Sequence, residues 1–191
     1  ADDLVTEMIA TAKASTEERG KIAEFDEAEK AELFEMLALG ALKYFLLKVD
    51  PKKRMLFDPA ESIDFQGNTG PFIQYTHARI KSILRKASTE GLSIPIEIGE
   101  VAMAGIETDL IYLLSEYKNN LDRAAAEYAP SIVANYCYDL AKTFNSFYGE
   151  LSVMNEPDLA KRDFRLALIQ QVAATLKKGM GLLGIHVPER M

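Results

Sequence analysis

His77 and His186 are the only two histidines in the 191 residues, and Cys137 is the only cysteine. Spacing alone does not exclude a nucleophile–base pair of Cys137 with either histidine. However, Cys137 falls on the apolar side of its predicted helix and reads as an inert core thiol. His77 has no second histidine, cysteine or carboxylate at ligand spacing, so no zinc role is expected. One cysteine also excludes an internal disulfide framework and fits a reducing compartment. The stretch Gly67-Asn-Thr-Gly70 has the glycines of a phosphate loop, but Pro71 and Phe72 stand where lysine and Ser/Thr would be needed. It reads instead as a turn, with Asn68 or Thr69 capping the next helix and Pro71 in its first turn.

What remains is polar binding chemistry. Gln74, His77, Lys81 and Arg85 are spaced by three, four and four, so they share one side of a helix, with Arg79 and Lys86 flanking. Such a cationic ridge suits phosphate contact; a solvated polar face is the plainer alternative. On a helix predicted over Ser131–Tyr148, the residues Asn135, Tyr138, Lys142 and Asn145 form an outward face that ends near Tyr148. Amides can read base edges and an aromatic ring can stack on an unpaired base, although tyrosines at this spacing also serve as half-buried packing. The chain closes on "LKKGMGLLGIHVPERM", with no polar tail, so Met191 is expected to be docked on the domain surface.

These residues sit on a mainly helical pattern. Apolar periodicity predicts helices over 3–13, from Asp26 (with Glu29 as a capping box) to about 47, from Pro71 to about 87, over 107–118, over 131–148, and from an Asp158 cap to Lys178 with Gly179 as the stop. "VDPKKRMLFDPAESIDFQ" reads as a loop with brief extended pieces, and "GLSIPIEIGE" as a break around Pro95. No sustained strand alternation occurs, so the fold class is all-α. Hydrophobic content of 48% with 27% charged residues supports one buried core, and the longest apolar runs are too short to span a membrane. No secretory signal opens the chain, so a cytoplasmic protein is the expectation. Ala1 running straight into a helical pattern reads as the start of a cut piece, though removal of an initiator Met explains it equally.

Net charge is −7, which argues against nucleic acid if taken globally, but the cations are clustered. Residues 71–91 hold four Lys/Arg against one acid and residues 161–191 six against two, whereas residues 92–160 hold three against eleven. Local patches, rather than the total, govern attraction of a polyanion.

The blocks "GNTGPFIQYTHARIKSILRKA", "VANYCYDLAKTFNSFY" and "RDFRLALIQQVAATLKKGMGLLGI", with the ending "GIHVPERM", together resemble the C-terminal region of bacterial-type arginyl-tRNA synthetases. These are class I aminoacyl-tRNA ligases whose last domain is a helical, DALR-type anticodon-binding bundle. The resemblance covers essentially the whole chain in the family's order. It implies that residues 1–66 are the helical tail or linker of a catalytic half, and residues 67–191 the bundle. It also implies that the partners are tRNA for arginine and a catalytic domain in cis, with no DNA and no membrane. The family's HIGH-type and KMSKS-type motifs are not matched: "HARI" at His77–Ile80 and "KASTE" at Lys13 are neither. The resemblance therefore implies no catalytic residue, cofactor or metal here, with ATP and magnesium belonging to the parent enzyme.

Carried over by motif, Gln74, Tyr75, His77 and Arg79 fall at the junction of the two halves, suited to RNA-backbone contact or domain docking. Tyr136, Asn145, Phe147 and Tyr148 belong to the family's Tyr-x-x-x-Leu-Ala helix, and Arg162, Arg165 and Met191 lie toward the anticodon-loop side. With Lys81, Arg85, Tyr138 and Lys142, and leaving out Phe147, these make up the expected tRNA-contacting set. The acidic balance of residues 92–160 departs from a typical RNA-binding surface. A helical scaffold that binds another protein through apolar faces is the alternative reading.

Overall fold

In the computed structural model, which describes residues 2–18, 22, 24–50, 52–95 and 99–191, the chain forms eight helices, with no strand among the described residues. The all-α expectation holds. Ala1, Pro51 of the first loop and residues 96–98 of the predicted break lie outside the described residues.

Helices α1 (Asp2–Glu18) and α2 (Glu27–Leu47) pack against each other. The start of α2 is set by the expected capping box: Asp26 accepts from the Glu29 N–H at 2.8 Å, and Glu29 accepts from the Asp26 N–H at 3.0 Å. The predicted loop that follows contains one short helix, α3 (Pro59–Ser62), because Asp58 caps the amides of Ala60 and Glu61. Met8, Ala12, Leu33, Phe34, Leu37, Ala41, Ile63 and Phe65 form one apolar cluster beneath these helices.

Helix α4 (Gly70–Thr89) starts where the sequence indicates, with the Thr69 hydroxyl accepting from the Phe72 N–H at 3.2 Å. It buries Thr76, Ile80, Ile83 and Ala87, and also Ile73, Gln74, His77 and Ala78. The helix is central: α2, α7 and α8 all pack against it. Two glycines permit the closest crossing. A Cβ on Gly70 would lie 2.5 Å from the Gly40 carbonyl oxygen of α2, and a Cβ on Gly40 would overlap the Gln74 amide.

The remaining helices are α5 (Gly105–Ser115), α6 (Tyr117–Glu127), α7 (Pro130–Glu150) and α8 (Leu159–Leu182). The expected helix over 107–118 is thus two helices, joined at Glu116. Helix α6 is mostly polar, but Tyr117, Leu121 and Ala124 share the face that meets a second apolar cluster, a helical spacing that the 107–118 prediction stops short of. Nor does Gly179 stop α8: it lies inside the helix, where a Cβ would sit 2.5 Å from Cys137 Sγ. The stop is Gly184, which adopts φ 68, with the Ile185 N–H reaching back to the Met180 carbonyl at 3.0 Å. Phe144, Phe147, Leu140, Leu166, Ile169, Val172 and Leu176 fill the second and larger cluster, which Tyr44 of α2 also joins. Cys137 is in this cluster, and burial pushes its thiol up to about 12, as an inert core residue requires.

A polar knot ties α2, the Gly67–Gly70 turn and α7 together. The Tyr44 hydroxyl reaches Asn68 Oδ1 at 2.6 Å and the Ala134 carbonyl at 3.0 Å, Lys48 Nζ donates to the Asn68 carbonyl at 2.8 Å, and Asn68 Nδ2 donates to Asn135 Oδ1 at 3.2 Å. Both Gly40 and Gly70 are therefore required for space rather than for backbone freedom. Substituting Gly40→Ala is expected to cost about 1–3 kcal/mol by overpacking the α2–α4 crossing; urea unfolding of the variant against the parent measures it.

Candidate nucleic-acid interface

The ridge of Gln74, His77, Lys81 and Arg85 is not a solvated face. It cradles the last eight residues of the chain, which lie between α2 and α4. Lys43 Nζ donates to the Gly184 carbonyl at 2.6 Å. Gln74 Nε2 donates to the His186 carbonyl at 2.8 Å and to the Met36 carbonyl of α2 at 3.1 Å. His77 Nδ1 lies 2.8 Å from the Pro188 carbonyl, so this nitrogen carries the proton. Arg85 donates to the Glu189 carbonyl at 2.6 Å, and the Glu189 carboxylate bridges Lys81 (3.0 Å) and Lys177 of α8 (2.8 Å). Arg190 pairs with Glu29 of α2 and lies over the Phe25 ring at 4.4 Å. Ile185, Val187 and Pro188 are buried beneath.

This corrects the reading of Gln74 and His77 as outward groups. Both are buried, and their polar atoms are used to hold the tail. Lys81 and Arg85 remain at the rim, half-buried and exposed respectively. Met191 is docked as expected, half-buried against the α1–α3 cluster.

One helical step round α4, the residues Tyr75, Arg79, Ser82 and Lys86 form a second row that faces the end of α7. Arg79 lies between two rings, 4.8 Å from the Tyr75 centroid and 5.4 Å from that of Tyr148. Its NH1 donates to Asn145 Oδ1 at 2.7 Å, and Asn145 Nδ2 donates to the Thr76 hydroxyl at 2.8 Å, so α7 fixes the guanidinium. Around this stack is a cleft of about 360 Å³ lined by Tyr75, Arg79, Ser82, Arg85, Tyr148 and Met191. It continues past Ser82, Ile83 and Tyr148 into a groove of about 540 Å³ whose far wall is the 149–155 segment, with Lys86 on the α4 side. Tyr148 stands between the two, 43% exposed.

The other expected contacts fall in different places. On α7, Lys142 is exposed, Tyr138 is half-buried with its ring 5.5 Å from Phe72, and Asn135 belongs to the polar knot. Tyr136 is a correction: it is buried, donates its hydroxyl to the Leu113 carbonyl at 2.9 Å, and burial raises its pKa. Phe147 is fully buried. Arg162 is half-buried beside Asp163 at 3.2 Å.

Arg165 is the largest correction. It is 3% exposed and bonds Glu107 at 2.6 Å, Glu156 at 2.5 Å and the Ser152 carbonyl at 2.6 Å, so it anchors the segment that walls the groove. Sequence reasoning places Lys86 only as a flank of the ridge, and singles out neither Ser82 nor the 149–155 wall. The signal for Ser82 lies in the 75/79/82/86 spacing of four, three and four. The wall has no local signal, because Arg165 brings it into place.

With this geometry in view, comparison with known proteins is decisive. The sequence profile of the DALR anticodon binding domain matches residues 73–191. The chain belongs to the DALR anticodon binding domain family. The matched span contains the groove and its tail, and begins within α4. An arginine–tRNA ligase of Porphyromonas gingivalis is 50% identical over 192 residues, and one of Flavobacterium psychrophilum is 50% identical over 191. These alignments cover all of this chain but 32% and 31% of the relatives, so the chain spans about a third of their length. Among solved structures, the arginyl-tRNA synthetase of Thermus thermophilus superposes with a TM-score of 0.85 at 34% identity, over the whole chain and 32% of that protein. The Plasmodium falciparum arginyl-tRNA synthetase gives 0.84 at 26% identity, over the whole chain and 33% of that protein. The likeness extends to α1–α3, outside the DALR match.

Two predictions follow from the charges that shape the DALR groove. Removing Arg165 strands the fully buried Glu107, so Arg165→Ala is expected to lower stability by about 3–5 kcal/mol, read by urea unfolding. The tail is expected to loosen in acid. Burial lowers the pKa of His77 from 6.5, outweighing the Pro188 carbonyl, so its contribution is full above pH 6.5 and declines below it. Burial alone would raise that of Glu189, but hydrogen bonds from Lys177 and Lys81 bring it down to about 2 from 4.5. Its contribution is full above pH 4.5 and is lost as pH falls towards 2. The Met191 methyl resonance should hold one docked position above pH 6.5 and shift as pH falls.

Proposed function

We propose that this chain is the tRNA-binding, anticodon-reading module of an arginine–tRNA ligase, with an RNA loop lying in the groove between α4 and the end of α7. The observation that carries this reading is Arg79 held between the rings of Tyr75 and Tyr148, at a cleft that also presents Arg85 and Met191. Unpaired bases stack on tyrosine and guanidinium planes, and nearby cations meet the phosphates. Arg79 bonds a neutral amide, and no ion pair among the described residues involves it, so its charge is available to a polyanion.

On this reading Tyr75, Arg79, Arg85, Tyr148 and Met191 touch RNA, joined by Ser82 and Lys86, with Lys142 and Arg162 at the margin. Gln74, His77, Lys81, Tyr136, Tyr138, Asn145 and Arg165 shape the surface through packing, the tail or the Arg79 stack. Arginine activation, with ATP and magnesium, is assigned to the portion of such an enzyme that this chain does not span. No cofactor is assigned to this chain. Residues 1–66 form the linker to that portion, and residues 67–191 form the module. The partner RNA is tRNA for arginine, in the cytoplasm. No described helix is long and apolar enough to cross a membrane.

The test is binding of the chain to an arginine-accepting tRNA transcript and to a non-cognate one, at two salt concentrations. Cognate preference is expected, with affinity falling as salt rises because phosphate contacts release counterions. Tyr148→Ala is expected to cost about 1–3 kcal/mol of binding, the range for loss of one base–aromatic stack. Salt-insensitive binding, or full affinity in Tyr148→Ala, would overturn the reading and favour a protein-binding scaffold.

A further inference from the structure

A methionine side chain that nothing holds samples many rotamers. Here Met191 is a wall of the cleft, which it lines together with Tyr75, Arg79, Arg85 and Tyr148. Something must therefore hold it against its own entropy. Two residues earlier, the Glu189 carboxylate is gripped from both sides, by Lys81 of α4 at 3.0 Å and Lys177 of α8 at 2.8 Å. Arg85, itself a lining residue, donates to the backbone carbonyl of the same glutamate at 2.6 Å. One residue thus joins two helices, the chain end and a cation of the cleft.

We propose that Glu189 is a positioning residue for RNA binding: by bridging Lys81 and Lys177 it holds Met191 as a fixed wall of the cleft. This rests on the RNA reading above. A competing role predicts the opposite sign. The carboxylate would instead be a cover, occupying lysines that an RNA phosphate would otherwise take, and its neutralisation would tighten binding. The geometry favours positioning. Ile185, Val187 and Pro188 are buried, and the carbonyls of Gly184, His186 and Pro188 are bonded to Lys43, Gln74 and His77. The tail is a built part of the fold, and Arg190 keeps its own contacts with Glu29 and Phe25, so losing one carboxylate would slacken Met191 without vacating the ridge.

The test compares the 191-residue chain with Glu189→Gln, with deletion of Met191, and with both changes together. One readout is the rate at which carboxypeptidase releases Met191; the other is affinity for the arginine-accepting tRNA transcript at one fixed salt. Glu189→Gln is expected to speed release and weaken binding about fivefold, the scale of a half-exposed ion-pair network. The double variant should bind no more weakly than the deletion alone, since both changes remove the same wall. Unchanged release would show that Glu189 does not hold the chain end. Faster release with tighter binding would show a cover, faster release with unchanged binding a tail anchor outside RNA binding, and fully additive losses two unrelated effects; each overturns the proposal. If the unmodified chain does not bind the transcript at all, the RNA reading itself falls. Faster release in Glu189→Gln would then mark a tail anchor with no RNA role, which also overturns the proposal.

Discussion

The side-chain amide of Gln74 is the joint on which the working side of this DALR domain depends. Its two N–H groups go to carbonyls on two different segments, Met36 in α2 and His186 in the tail. The amide orientation follows from this: a flip would set Oε1 against two acceptors and leave both N–H donors elsewhere. Buried amide donors are costly to leave unmade, so the three segments are bound to one another by a single group. The joint needs a glycine at position 40, because any Cβ there would occupy the space of the amide. A close helix crossing, a buried glutamine and a docked C-terminus are thus one constraint seen from three sides.

Round α4 the chain divides its cations by a single helical step. The row 74, 77, 81, 85 meets the tail, whose carbonyls and Glu189 satisfy it. The row 75, 79, 82, 86, about 100° away, meets α7 and the open groove. Arg79 is stacked and bonded to an uncharged partner, so it is ordered without being neutralised. Cations ordered by neutral groups remain attractive to a polyanion, whereas those paired to carboxylates are largely cancelled. The overall charge of −7 says nothing about this division.

The acidic stretch 92–160, which seemed at odds with an RNA-binding surface, is in part a structural resource. Glu107 and Glu156 come from it and meet Arg165 in the interior. An unpaired Arg165 at 3% exposure would carry a large desolvation cost, and either carboxylate without it would do the same. Together they fix the segment from Ser152 to Glu156 and with it one wall of the groove. A cation expected at the RNA surface therefore acts from beneath it.

Much of this fold was legible in the residues themselves, because local rules decide it. Asp26 with Glu29, Thr69 before Pro71, and Asp158 before α8 mark helix starts by hydrogen bonds that span three residues, and such bonds do not depend on the rest of the chain. The apolar stripe of α7 and the inert thiol of Cys137 were equally plain, since period and burial go together. Tyr148, Arg79 and Met191 could be singled out by type. What sequence could not assign was direction. The ridge of Gln74 and His77 looks solvated until a segment more than a hundred residues away lies on it, and Arg165 looks exposed until Glu107 and Glu156 converge on it. The sequence by itself determined where helices begin and which residues carry charge or aromatic rings, because those follow from neighbours along the chain. Only the tertiary structure decided which cations are neutralised within and which face the groove, because desolvation and ion pairing depend on groups that the chain brings together from afar.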